Sequence, residues 1–244
     1  MGAGVLRWGV AGALGVWLAA SPCAAMSWNE YVASFGPHAA PPDVLAYLKS
    51  NPTVQAAPRP RFSEIHTETV DGSVAQAYRM TGFGDGLGHL EGTREERAAG
   101  SVRSGTQSLT MTTTLGGMML VALDNKTTGA YVGLRRIEIG GTLFPPAEGA
   151  QGTLRYERVQ LSDSAVVEEF HDCTLSWIAP LEENPRLSSR CTGTTKISQP
   201  NRDGSINSTS APASVATTLV FRREVGWIFD QRTKVLDFKP LEPN

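Results

Sequence analysis

Aromatic residues make up only 7% of the chain. Strands that cross a membrane as a barrel carry aromatic girdles at both ends, and this sequence has too few for that, so a transmembrane barrel is not expected. Charge of one sign is also missing: 22 Lys and Arg stand against 24 Asp and Glu. No basic stripe marks a nucleic-acid surface, and no polybasic patch marks a lipid surface. The longest apolar run, Trp8 to Ala20, is about 13 residues and falls short of the ~20 needed to span a bilayer as a helix.

Chemistry-bearing motifs are equally sparse. No G-x-S-x-G elbow occurs. The four histidines fall in four separate segments, and the three cysteines show no C-x-x-C spacing. Redox and zinc sites built on such spacing are therefore not expected. No cofactor is implied.

What is present begins with an address. Arg7, the apolar run and the small-residue exit Ser21-Pro22-Cys23-Ala24-Ala25 form a secretory signal. Pro22 before Cys23 argues against lipidation of that cysteine. Cleavage near Ala25 would leave 219 of 244 residues, with net charge moving from −2 to −3 as Arg7 departs. The mature chain is expected to be soluble, periplasmic or secreted, with no transmembrane span. Cys173 and Cys191 then remain as an even pair in an oxidising compartment, which predicts a disulfide.

Residues 26–60 read as a helical arm and linker. Ser27 and Glu30 form a capping box ahead of Trp28, Tyr31, Val32 and Phe35, and Pro41-Pro42-Asp43 opens a second short helix stopped at Asn51-Pro52. Residues 61–244 read as an antiparallel β domain, because apolar residues recur with period two from Phe62 onward. Asp71-Gly72 marks a hairpin turn. Thr93 and Glu96 suggest a second capping box and a short charged helix, while Gln199 to Pro212 reads as a solvated loop. In Cys173 to Ile178 the alternation is clean: Cys173, Leu175 and Trp177 face one way, Thr174 and Ser176 the other. Nine or ten such strands, with short connections and no alternating helices, predict an all-β fold: a mainly antiparallel meander, closed as a barrel or strongly curved, with short N-terminal helices.

The corner Gly141-Thr142-Leu143-Phe144-Pro145 resembles a G-x-L-F-P turn found in uncharacterised bacterial secreted β-rich domains. The likeness spans about Ile137 to Tyr156 and departs at Pro146 and Ala150, where Leu and Asn are expected. It implies export and β structure, and no activity.

Three groups are candidate sites. Glu64, His66 and Glu68 alternate on one strand face and offer metal-ligating atoms, although i and i+2 side chains on a flat strand converge poorly on one ion. Glu169 and His171 share the face of Cys173 and Leu175, so an unbulged strand would point an imidazole and a carboxylate inward together. The run Gly82, Gly84, Asp85, Gly86, Gly88 and His89 lacks the Lys-Ser/Thr of a phosphate loop and reads as a flexible loop at a barrel mouth. These features favour a non-catalytic envelope protein that binds an apolar small molecule or an envelope protein through a curved sheet. Two alternatives stay open: a periplasmic hydrolase or metal-dependent enzyme, and a structural accessory subunit docking through residues 26–60.

Overall fold

The period-two pattern from Phe62 onward folds into hairpin after hairpin. The structure, a computed structural model, describes residues 26–36, 39–97 and 105–242; the expected signal peptide 1–25 lies outside them. The strands are β1 (Phe62–Thr69), β2 (Val74–Gly84), β3 (Leu87–Glu96), β4 (Gly105–Thr114), β5 (Met119–Asn125) and β6 (Tyr131–Gly141). They continue with β7 (Gln151–Leu161), β8 (Val166–Ile178), β9 (Arg186–Pro200), β10 (Ile206–Arg222), β11 (Trp227–Asp230) and β12 (Thr233–Pro240). All belong to one antiparallel sheet in which each strand from β1 to β11 pairs with its sequence neighbour, and β12 returns to β1. Only the turn at Gln231–Arg232 separates β11 from β12, so the two ends of the sheet are joined along the chain. The result is a nearly closed, barrel-like sheet.

Twelve strands replace the expected nine or ten, for local reasons. The glycine run is no loop: β2 and β3 extend through it, and only Asp85 (φ 53°) and Gly86 (φ 74°) form the turn. Two consecutive residues at positive φ suit the twist of a tight hairpin. Thr93 to Glu96 is strand as well, because pairing with Ala77–Val74 on one side and Ser108–Gly105 on the other overrides a local capping signal. The segment 199–212 is mostly paired too; β9 and β10 run together as far as Pro200 and Ile206, leaving a turn at 201–205. Its polar composition reports exposure on both faces rather than loss of strand. The last strand divides into β11 and β12.

β10 is paired with β9 along its length, but on its other side β11 meets only Leu219–Arg222. The Thr218 carbonyl accepts from Gln231 N across that side (3.0 Å), so the groups of Thr218 face away from β9. With no register shift in β10, Pro212 faces the same way. A residue without an N–H fits such an open edge and discourages pairing with another chain.

Three helices precede the sheet: α1 (Trp28–Ser34), α2 (Pro42–Ser50) and α3 (Pro52–Gln55). The capping box forms as expected, with Ser27 Oγ accepting from Glu30 N (3.3 Å) and Ser27 N donating to Glu30 Oε2 (2.8 Å). Asn51 ends α2 and caps α3, its Oδ1 accepting from Thr53 N (3.0 Å). The arm then splits. No residue of α1 is buried; it lies over Tyr131, Val159, Leu161 and Val166. In contrast, Leu48 of α2 and Val54 of α3 are fully buried with Met119, Val121, Leu134 and Leu187. The apolar strand β5 is thereby covered from both sides, since Ala122 packs with α1.

Besides the cluster beneath α1, the core has a larger and a smaller part divided by β11. Ile228 joins the larger one, whereas Trp227 packs with Phe62, Ile65, Leu90 and Val225 in the smaller. Ile228 N also donates to Gly116 O (2.8 Å), tying β11 to the β4–β5 turn. Gly117 in that turn is at φ 89°, and a Cβ there would lie 2.0 Å from the Trp227 ring. The Gly-Thr-Leu-Phe-Pro corner closes one end of the larger core: Leu143 and Phe144 are buried, and Trp177 Nε1 donates to Leu143 O (2.6 Å).

Candidate functional site: a half-open pocket on the concave face

Residues paired across antiparallel strands project from the same face. The register of β7 to β10 therefore builds rows of side chains. One row is Leu154, Cys173, Cys191 and Val215; the next is Tyr156, His171, Gly193 and Ala213; the third is Arg158, Glu169, Thr195 and Ala211. Cys173 and Cys191 are directly opposite, with Cα atoms 4.0 Å apart, and form the predicted disulfide. The pair is compatible with an oxidising location.

These rows line a pocket of about 290 Å³, with Met118 and Met119 contributing from the β4–β5 hairpin. Its apolar wall includes Leu154, Leu175, Val215 and Leu219, and its polar end carries Arg158, Glu169, His171 and Thr195. Among the described residues the β10 side is left open: Val215 remains 48% exposed.

At the polar end, Glu169 Oε2 accepts from Arg158 Nε (2.7 Å) and lies 2.5 Å from Nη2. The guanidinium also sits 5.9 Å from the centre of the Tyr156 ring. Tyr156 and His171 stack at 5.1 Å with a 35° tilt. Burial pushes the Tyr156 hydroxyl up. Burial also lowers the His171 pKa, opposed by the nearby Glu169 carboxylate and assisted by Arg158, so the imidazole is neutral at neutral pH. Only 4% of His171 is exposed, and its buried Nδ1 has no hydrogen-bond partner among the described residues.

The predicted pair Glu169 and His171 thus lines one pocket, but the hydrogen bonds of Glu169 go to Arg158 and not to the imidazole. Arg158, Tyr156 and Thr195 were not anticipated. The alternation of Leu154, Tyr156 and Arg158 is visible in the sequence; which residues they and Thr195 oppose depends on the register of β7, β8 and β9.

The other candidates separate. Glu64, His66 and Glu68 do share the outer face of β1, but each has a separate partner: Glu64 pairs with Lys239 at 2.5 Å, Glu68 with Arg97 at 3.8 Å, and His66 Nδ1 lies 2.8 Å from Asp237 Oδ1. The hydrogen bond from Lys239 holds the Glu64 carboxyl below its ordinary range. Among the described residues, no group of three or more His, Cys, Asp or Glu is placed to hold a metal ion. In the β2–β3 turn, Asp85 pairs with Lys49 (3.2 Å) and Gly86 packs against Val54, while His89 Nδ1 contacts Thr112 Oγ1 at 3.1 Å. A second hollow, about 350 Å³, lies beside Phe35, which caps the C-terminal end of α1. Within it Lys196 donates to Glu168 (2.7 Å) and Tyr31 Oη also donates to Glu168 (2.9 Å), whereas Arg135 Nε and Nη2 are buried without a hydrogen-bond partner among the described residues.

Fold and site together define an antiparallel, barrel-like sheet with α2 and α3 packed into its core and, among the described residues, one side of its concave face left open. No helix among the described residues is long and apolar enough to cross a membrane. No protein-family model matches the chain, and comparison with curated proteins and with solved structures returns no match.

Proposed function

We propose that the chain is a non-catalytic exported envelope protein that binds an apolar or amphipathic molecule on the concave face of its curved sheet. The observation that carries this reading is the uncovered apolar wall. Val215 lies on the pocket face of β10, half-exposed beside Met118, Met119 and Leu219, where an ordinary core would continue. Methionine side chains repack easily around ligands of varied shape. A concave, mainly apolar site with a few convergent polar groups is the usual form of a small-molecule pocket. Export is supported by the signal-like residues 1–25, by the disulfide and by the resemblance at the Gly141–Pro145 corner.

The docking alternative narrows to α1, since α2 and α3 contribute Val44, Leu48 and Val54 to the core. Native mass spectrometry of the protein purified from its own envelope fraction, without refolding, tests the binding reading. A lipid-sized adduct that disappears on denaturation is expected. A bare monomer that also fails to take up any added amphiphile would sink the reading and move weight to α1.

A further inference from the structure

Resting on the reading of this pocket as a ligand site, the polar end specifies the ligand's chemistry. Buried polar atoms in native proteins almost always have a partner, and an exception asks for an explanation. His171 Nδ1 is such an exception, and it belongs to a side chain that lines the pocket. Charge decides which group can meet it. Arg158 and Glu169 already neutralise each other at 2.5–2.7 Å. An anionic head would have to displace Glu169 from Arg158, and a cationic head would have to displace Arg158 from Glu169. Either exchange leaves a partly buried charge without its partner. A hydroxyl does neither, and it can donate to or accept from a neutral imidazole in either tautomer.

The access route follows from the same register. Along the His171 row the side chains shrink towards the open edge of β10, from Tyr156 and His171 to Gly193 and Ala213. No side chain can be added at Gly193, where a Cβ would lie 1.8 Å from Phe170 O. The row is therefore a shallow trough running from the β10 edge to the imidazole.

We propose that the pocket binds an uncharged amphiphile with a hydroxyl head, which hydrogen-bonds His171 Nδ1 while its chain lies against Met118, Met119, Leu154 and Val215. The probes are 1-monolauroylglycerol, laurate and dodecylammonium, which share a chain length and differ in head charge. Each is titrated below its micellar concentration into the delipidated full chain by isothermal calorimetry at neutral pH. The glycerol ester is expected to bind about tenfold more tightly than either ion, the scale of one well-made hydrogen bond. His171→Phe should erase that preference while leaving chain binding in place. Ala213→Leu, which fills the trough without touching His171, should abolish binding of the ester and guards against a His171 variant that does not fold. Laurate or dodecylammonium binding as tightly as the ester would overturn the proposal, as would an unchanged preference in a folded His171→Phe protein. If none of the three binds, the pocket itself is not a ligand site and the reading beneath the proposal fails with it.

Discussion

The two ends of the concave face use the same alternation for opposite purposes. At one end Leu175, Trp177 and Leu187 are almost wholly buried beneath the Leu143–Phe144 corner, in a core that includes α2 and α3. Farther along β9 Ile197 stays 40% exposed, and on the neighbouring strand β10 Val215 stays 48% exposed. The strands hardly differ in pattern. What differs is cover, and the pocket exists where cover stops. A pocket made by an end of cover needs no sequence motif of its own.

The comparison can be broken by substitution. At the closed end, Trp177→Ala should cost about 3–5 kcal/mol, because it leaves a cavity and orphans the Leu143 carbonyl; urea unfolding followed by circular dichroism reads this as a fall in midpoint. A loss under about 1 kcal/mol would mean that the corner is not a true core. The disulfide lies between the two ends, and the Cys173→Ala, Cys191→Ala double variant should lose roughly 3 kcal/mol, as expected for a closed loop of 18 residues. The same denaturation experiment checks it against the oxidised wild type.

At the open end the expected effects are smaller and of a different kind. The imidazole of His171 is buried, so its folded pKa lies below the ordinary value, with the Glu169 and Arg158 charges facing it. Its stabilising contribution is fully present above the unfolded pKa of about 6.5 and is lost as pH falls through the folded value. Unfolding midpoints measured from pH 7 downward should therefore drop less steeply in His171→Leu than in wild type. Equal slopes would place the titration elsewhere. Smallest of all, Val215→Ala should change stability by no more than about 0.5 kcal/mol, the scale of an exposed site, while weakening amphiphile binding in the calorimeter. A core-sized stability loss there would erase the distinction between the two ends.

Much of the architecture was legible in local pattern. The Asp71-Gly72 turn, the Ser27–Glu30 capping box and the face shared by Cys173, Leu175 and Trp177 follow from rules acting over two to four residues. The errors came where a local signal competed with pairing. Thr93 to Glu96 carries a helix-start signature, yet partners on both sides hold it in β3. The glycine run looks mobile until β4 is laid beside it, with Thr114 Oγ1 donating to Gly86 O (3.0 Å). The site was half visible for the same reason. Period two puts Glu169 and His171 on one face, but bringing Arg158 opposite Glu169 requires the register across the 162–165 turn, which alternation alone does not supply.

The split between β11 and β12 also sets an order in time. From β2 to β10 every strand finds its partners next door in sequence, so the sheet can zip up one hairpin after another by short loop closures. The outer edge of β1 is different: its partner is β12, with Phe62 meeting Pro240 from the far end of the β domain. Until the last residues arrive, that edge stands open as a template for misassembly. The first strand of the domain must wait for the last one.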